Sequence, residues 1–299
     1  MSLRLAVTGR HGQVARSLIA RAAQEDVVIV PLARPDFDPS RPKSFMDAVR
    51  AARPDAIVSA AAYTAVDRAE SEPELAEAVN GRAPGELGRV AAALNVPILH
   101  LSTDYVFSGD KPEPYVETDA TGPINVYGHS KLHGERALAA ASDNHVILRT
   151  SWVFSPEGRN FVNAMLALAQ TRDALDVVAD QRGCPTSADE IARALIAVAR
   201  RVIADPAPEL RGVFHMAGGA ETNWAAFAEA VFDGARRRGW PAAAVRPTPS
   251  SAWPSPARRP MNSRLDSTRL RSNFGVSLDP WPVSLDKHLN RLVELRQRT

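Results

Sequence analysis

Apolar residues in the first half of the chain fall into short runs, and segments with helical spacing separate them. Residues 3–7, Leu-Arg-Leu-Ala-Val, read as a strand. Residues 13–23 follow, with Val14, Leu18 and Ala22 at helical intervals. Further strands are predicted at 27–30, 56–58, 96–101 and 145–148, and further helices at 45–52, 83–94 and 126–141. Strand-helix alternation of this kind predicts a parallel sheet with helices on both faces.

The second half is less regular. Helical spacing covers 160–170, 188–203, 224–238 and 284–296, and short apolar runs at 175–178 and 213–216 read as strands. Residues 247–260 hold five prolines and are predicted to form an ordered loop with no regular element. The fold class expected is α/β: a Rossmann-type doubly wound parallel sheet with a smaller C-terminal lobe. Residues 1–150 form the dinucleotide-binding domain in this reading. Residues 151–299 form mainly a substrate-binding lobe, with some segments returning to the sheet.

Composition narrows the function classes. The chain has 299 residues, 45% of them apolar, enough to bury a sizeable core. A formal net charge of +2 argues against a dedicated nucleic-acid surface. The densest cationic run, Arg236-Arg237-Arg238 before Gly239, reads as a helix C-terminus. One cysteine, Cys184, has no disulfide or CxxC partner, which fits a reducing cytoplasm, and it reads as a buried small residue in a turn. No apolar run approaches the ~20 residues of a membrane span, and residues 3–8 are too short for a signal-peptide core.

The first strand runs into Thr8-Gly9-Arg10-His11-Gly12-Gln13-Val14-Ala15. Two glycines three apart, between strand and helix, allow a tight turn, and the helix N-terminus then faces a pyrophosphate with free N–H groups. After the second strand come Arg34 and the acids Asp36 and Asp38. The end of that strand sits beside the adenine ribose in this fold, where an arginine pairs a 2′-phosphate and an acid takes the ribose hydroxyls. Arg34 therefore tilts the reading toward NADPH over NADH, with a solvated loop arginine as the alternative.

Tyr127 and Lys131 open a helix at i and i+4 and so share a face. A lysine ammonium there is expected to lower the tyrosine pKa from about 10, so that the phenol donates a proton near neutral pH. The fourth strand ends in Ser102-Thr103-Asp104-Tyr105, which points the Thr103 hydroxyl into the ligand crevice. Acid, tuning cation and oxyanion partner together suit carbonyl reduction. His129 and His133 lie two residues from Tyr127 and Lys131, so ~200° around the helix, and read as a surface pair, not a metal site.

These residues carry a family resemblance. The segments around Ala60-Ala61-Ala62-Tyr63-Thr64-Ala65-Val66-Asp67-Arg68-Ala69-Glu70, Ser102-Thr103-Asp104-Tyr105-Val106-Phe107 and Tyr127-Gly128-His129-Ser130-Lys131 resemble the extended short-chain dehydrogenases, and within them the dTDP-4-dehydrorhamnose reductases. Matches continue through Arg149-Thr150-Ser151-Trp152, Asn160-Phe161, Asp180-Gln181, Pro185-Thr186 and Arg259-Pro260 to Trp281. The resemblance implies that Tyr127 is the proton donor, Lys131 its tuner and ribose ligand, and Thr103 the third member of a triad. It implies cofactor contacts at Gly9, Gly12, Gln13, Val14, Asp38, Ala61, Ala62 and Tyr63. It implies nucleotide-sugar contacts at Thr64, Val66, Thr103, Asp104, Tyr105 and Trp152; read without it, Thr64, Val66 and Trp152 would be core or loop packing. Some relatives form a dimer bridged by magnesium through an acid in the first helix. Ser17 stands at that place, so no metal and a monomer or weak homodimer are expected.

The activity so implied is NAD(P)H-dependent reduction of the C4 ketone of dTDP-4-dehydro-6-deoxy-L-mannose to dTDP-L-rhamnose. Two alternatives are another nucleotide-sugar epimerase or dehydratase of the same scaffold, and a non-catalytic subunit similar to the regulatory partner of methionine adenosyltransferase. The intact Thr103, Tyr127 and Lys131 set argues against the second.

Overall fold

The computed structural model describes residues 2–296. Strands β1 (Leu3–Thr8), β2 (Val27–Leu32), β3 (Ala56–Ser59), β4 (Ile98–Thr103) and β5 (His145–Thr150) alternate with helices α1 (Gln13–Arg21), α2 (Phe45–Ala52), α3 (Val66–Ala69), α4 (Pro73–Ala76), α5 (Ala83–Leu94) and α6 (Val126–Ala141). A π-helical turn, Glu77–Arg82, joins α4 to α5. The C-terminal part adds β6 (Val153–Phe154), α7 (Phe161–Leu168), β7 (Ala174–Val178), β8 (Arg182–Gly183), β9 (Thr186–Ser187) and α8 (Ala188–Ala204). It ends with β10 (Gly212–His215), β11 (Thr222–Asn223), α9 (Trp224–Arg236), β12 (Ala244–Thr248), β13 (Asn262–Ser263), α10 (Thr268–Phe274) and α11 (Trp281–Arg296).

Six strands form one parallel sheet in the order β2-β1-β3-β4-β5-β10. The apolar runs are continuous because both faces are covered. Leu5, Val7, Val58 and Leu148 face α1 and α8. Ala6, Ile57, Ile98 and Ile147 face α2, α5 and Leu138 of α6. The strand order reverses between β1 and β3, and ligands of such sheets bind at the carboxyl ends beside that reversal. Two backbone N–H groups of the loop after β3, from Ala60 and Ala61, bond to the Thr8 hydroxyl at 2.9 and 2.8 Å. That pins the two sides of the switch point together.

A second core lies in the C-terminal part, where Phe154, Val162, Leu175, Phe227, Phe232 and Leu289 pack together. Helix α8 and strand β10 return to the main sheet. One expectation fails here. Pro247 lies inside β12, which pairs in parallel with β7 alone. An edge strand tolerates the missing N–H when it faces away from the partner. The proline-rich stretch beyond it is strapped to α3: Arg259 donates to Asp67 at 2.8 Å and lowers that carboxylate's pKa. As expected, the Arg236–Arg238 run ends α9, and Gly239 takes φ +68°.

Candidate active site

The glycine turn after β1 opens a crevice of roughly 950 Å³ at the carboxyl ends of β1 to β4, the upper range for small-molecule sites. Gly9 has φ +87°, a conformation that disfavours any side chain. A Cβ built at Gly12 meets no protein atom within 4 Å, so its space belongs to the crevice. No side chain caps α1, which leaves its first N–H groups free for an anion. This shape and donor set fit a dinucleotide with its pyrophosphate at Gly9–Gly12. Gln13, Val14, Arg34, Ala61, Ala62, Thr64, Tyr127 and Lys131 share the lining.

Two residues predicted for the cofactor are turned elsewhere. The Asp38 carboxylate takes the Arg34 guanidinium at 3.0 Å and both the N–H and hydroxyl of Ser40, at 2.9 and 2.8 Å. The Tyr63 phenol bonds to Glu72, which pushes its pKa up. Neither residue lines the crevice. The backbone of Tyr63 is held instead by Asn80, whose amide bonds its N–H at 2.8 Å, its carbonyl at 3.0 Å and the Ser130 hydroxyl at 3.1 Å.

Helix α6 carries Tyr127 and Lys131. Asn125 caps it, accepting from the Gly128 N–H at 2.7 Å. The helix start presses against the turn Asp104–Val106, so that a Cβ at Gly128 would stand 2.2 Å from the Tyr105 carbonyl oxygen. The rings of Tyr105 and Tyr127 meet edge to face at 5.6 Å. Burial pushes the Tyr127 phenol up to about 12, while the nearby Thr103 hydroxyl pulls the other way. The lowered phenol pKa expected from the i,i+4 spacing is therefore not what the structure shows. The Lys131 ammonium donates to the Leu101 carbonyl at 2.6 Å and stands 3.2 Å from His100 Nε2, and burial brings its own pKa down to about 8.

Thr103 differs from expectation too. Its hydroxyl donates to the Asp104 carboxyl at 3.1 Å and accepts from the Tyr105 N–H at 3.2 Å, and it stands beside the crevice lining. Asp104 is buried, its Oδ2 has no partner, and burial raises its pKa to about 7. Tyr105, also desolvated, has a strongly raised phenol pKa. Trp152 takes φ +49° and stacks on Trp224 at 3.5 Å, and a Cβ at Gly183 would stand 2.4 Å from its ring. Val66 opens α3, half-buried beside Thr64.

Behind these groups lies a charged layer that the spacing did not reveal. Arg149 of β5 grips Glu135 of α6 through two bonds of 2.9 and 2.7 Å, with both side chains 4% exposed, and Glu135 also accepts from Ser102. The remaining chemical candidates are structural. Cys184 is buried, with its thiol pushed up to about 11. His129 is exposed and His133 contacts Glu77. Ser17 is half-buried on α1 beside a smaller cavity of about 350 Å³ shared with α8 and α11. Among the described residues no three His, Cys, Asp or Glu side chains gather as metal ligands, and no helix is long and apolar enough to cross a membrane.

Comparison with known proteins gives a consistent set of relatives. The family described as "RmlD substrate binding domain" matches residues 3–294. A dTDP-4-dehydrorhamnose reductase of Sinorhizobium fredii is 52% identical over 282 residues, covering 94% of this chain and 95% of that protein. The enzyme of that name from Escherichia coli K12 is 41% identical over 289 residues, covering 95% and 96%. The crystal structure of a dTDP-4-dehydrorhamnose reductase from Bacillus anthracis in complex with NADP superposes with a TM-score of 0.89 at 30% identity, covering 97% of this chain and all of that one.

Proposed function

The chain belongs to the RmlD substrate-binding-domain family of dTDP-4-dehydrorhamnose reductases, and on that premise we propose that it reduces the C4 ketone of dTDP-4-dehydro-6-deoxy-L-mannose to dTDP-L-rhamnose. The cofactor is NADPH or NADH. One observation carries the chemistry: Tyr127 and Lys131 line the crevice formed by the glycine turn and the ends of β3 and β4, with the Thr103 hydroxyl close to the Tyr127 phenol.

The reduced nicotinamide, when bound, supplies the hydride that C4 accepts. Tyr127 gives its proton to the C4 oxygen, and the ketone becomes an alcohol. Lys131 stays charged below its pKa of about 8 and steadies the phenolate left behind. Thr103 holds the same oxygen from the strand side. Gly9, Gly12, Gln13, Val14, Ala61 and Ala62 would hold the dinucleotide along the glycine turn and the end of β3, and Arg34 would meet its adenine ribose; all of them line the crevice. Asp38 acts there through Arg34, and Tyr63 through its backbone. Thr64, Val66, Asp104, Tyr105 and Trp152 shape the nucleotide-sugar side. Residues 1–150 supply most of the cofactor half and residues 151–299 most of the substrate lobe. With a net charge of +2 and a single cysteine, the reading extends to a cytoplasmic enzyme, monomer or weak homodimer, acting apart from nucleic acid and membrane.

The test is direct. Purified protein given dTDP-4-dehydrorhamnose and NADPH consumes cofactor in step with dTDP-L-rhamnose formed. An epimerised sugar with no net cofactor consumption would assign it to the epimerases instead.

A further inference from the structure

Strand β4 sends Ile98, His100 and Ser102 to the face covered by α5 and α6, because side chains alternate along a strand. Helix α6 meets that row with Lys131 and Glu135, one turn apart. Lys131 therefore stands against His100, and Glu135 against Ser102. Both His100 nitrogens are engaged: Nε2 is 3.2 Å from the Lys131 ammonium, and Nδ1 is 3.0 Å from the Ser59 hydroxyl at the end of β3. The ring is 1% exposed and Ser59 3%.

We propose that His100 is a positioning residue for Lys131: as the Nδ1–H tautomer it accepts an ammonium proton at Nε2, which directs the third ammonium proton toward the crevice. This role rests on the reductase reading of the site. Lys131 has three N–H bonds. The Leu101 carbonyl takes one at 2.6 Å and His100 takes the second. The third is left for the side where Tyr127 and the crevice lie.

Tautomer and charge follow from the surroundings. An Nε2–H would set two donors against each other in a dry site, which is costly. An Nδ1–H instead donates to Ser59 and leaves the Nε2 lone pair for the lysine. A charged imidazole is excluded as well, since burial first and Lys131 second hold its pKa well below the ordinary value. The carboxylate whose charge acts on the ammonium is Glu135, which is also bonded twice to Arg149. Tyr127 on α6 and Ser59 on β3 complete the groups around the pair, and neither brings a negative charge at neutral pH. Glu135 supplies the negative charge that favours the ammonium, and the Leu101 carbonyl and His100 stand against the ammonium itself as two neutral acceptors.

Two measurements decide the matter. Long-range ¹H–¹⁵N correlation on the cofactor-free protein, from about pH 6 to 9, is expected to show His100 neutral and protonated on Nδ1 throughout. An Nε2-protonated ring, or one that takes up a second proton in that window, overturns the assignment whether or not the protein proves to be a reductase. In the reductase assay, run in a D104N background so that the buried Asp104 does not titrate, the alkaline limb of kcat/KM is expected to fall by about one pH unit when H100L is added, a tenfold loss on that limb, because the charged lysine loses an acceptor. H100Q in the same background, whose amide oxygen can accept in place of Nε2, should move the limb back toward that of D104N alone. An H100L limb that coincides with that of D104N alone, whatever its effect on stability, rejects the role. If H100L does not fold, the tautomer and the H100Q profile still decide. Wild-type protein without turnover sinks the reductase reading and leaves the tautomer result standing on its own.

Discussion

The Thr103 hydroxyl donates to the carboxyl of Asp104, its neighbour in the chain, across 3.1 Å. While it does so, its single proton is not available to a ketone oxygen. A protonated Asp104 reverses the bond, donating to Thr103 and releasing the Thr103 proton toward substrate. Burial favours that form, outweighing the Ser263 and Thr103 hydroxyls that pull the other way, and Asp104 holds its proton up to about pH 7. The expected kcat/KM therefore declines as pH rises through about 7. In D104N a permanent amide donor faces Thr103, and the decline moves up toward the about 8 of Lys131. D104L should lose turnover across the range. Stability gives an independent check. The unfolded chain releases this proton near 3.8 and the folded chain near 7, so the unfolded state binds fewer protons between those values and wild-type stability falls there. Urea titrations at several pH values should show D104N free of that component. A D104N enzyme that retains the wild-type limb contradicts the reversal.

Proton donation by Tyr127 predicts a different signature. Removing the hydroxyl in Y127F leaves the glycine turn and Lys131 in place, so NADPH affinity should stay within a few-fold. Turnover should fall by roughly 100- to 10,000-fold, the usual worth of a positioned general acid. Fluorescence titration of NADPH alongside single-turnover kinetics separates the two effects. A Y127F enzyme with near-normal turnover removes Tyr127 from the chemistry.

The Arg149–Glu135 pair holds the back of the site, and its role is stability. Both side chains are buried, and Glu135 also receives Ser102. Cutting Arg149 to methionine leaves the buried Glu135 carboxylate without its bidentate partner, with the Ser102 hydroxyl as its remaining hydrogen bond. Breaking a buried pair from one side costs about 3–5 kcal/mol. R149M should therefore unfold at markedly lower urea concentration. R149M combined with E135L should recover part of the loss, since no charge is then left unpaired. Equilibrium unfolding of both variants provides the comparison.

Much of this fold can be read from the chain because the central strands are buried on both faces. Their apolar runs are unbroken, and the helices between them end where predicted at Phe45–Ala52, Ala83–Leu94 and Val126–Ala141. The two-residue strands β6, β8, β9, β11 and β13 are too short to carry a period, and tertiary contacts alone create them. Pro247 misleads because its strand lies at an edge. In the site, Tyr127, Lys131 and Thr103 announce themselves by spacing and strand position. Their supports do not. His100, Glu135 and Arg149 come from three elements, and only the register of α6 against β4 and β5 brings them together. Asp38 was readable as an acid near the ribose, but its diversion to Arg34, four residues earlier, was not.

That diversion bears on cofactor choice. The Arg34 side chain is 73% exposed at the mouth of the crevice, and Asp38 holds its guanidinium at 3.0 Å. A 2′-phosphate arriving at the adenine ribose competes with Asp38 for the same donors and is repelled by its charge. NADH brings no phosphate, and an acid near the ribose hydroxyls favours it. The pair as it stands therefore supports use of both cofactors. R34A should raise KM for NADPH by roughly three- to tenfold, a modest change because exposed ion pairs contribute only about 1 kcal/mol, and should leave NADH within about twofold. D38N should act in the opposite sense, freeing Arg34 and lowering KM for NADPH while raising it for NADH. The effects are electrostatic, so both differences should shrink as salt is raised from about 0.05 to 0.5 M. Michaelis parameters for the two cofactors with wild type, R34A and D38N at two salt concentrations test this. Equal shifts for NADPH and NADH in either variant place the adenine ribose away from Arg34.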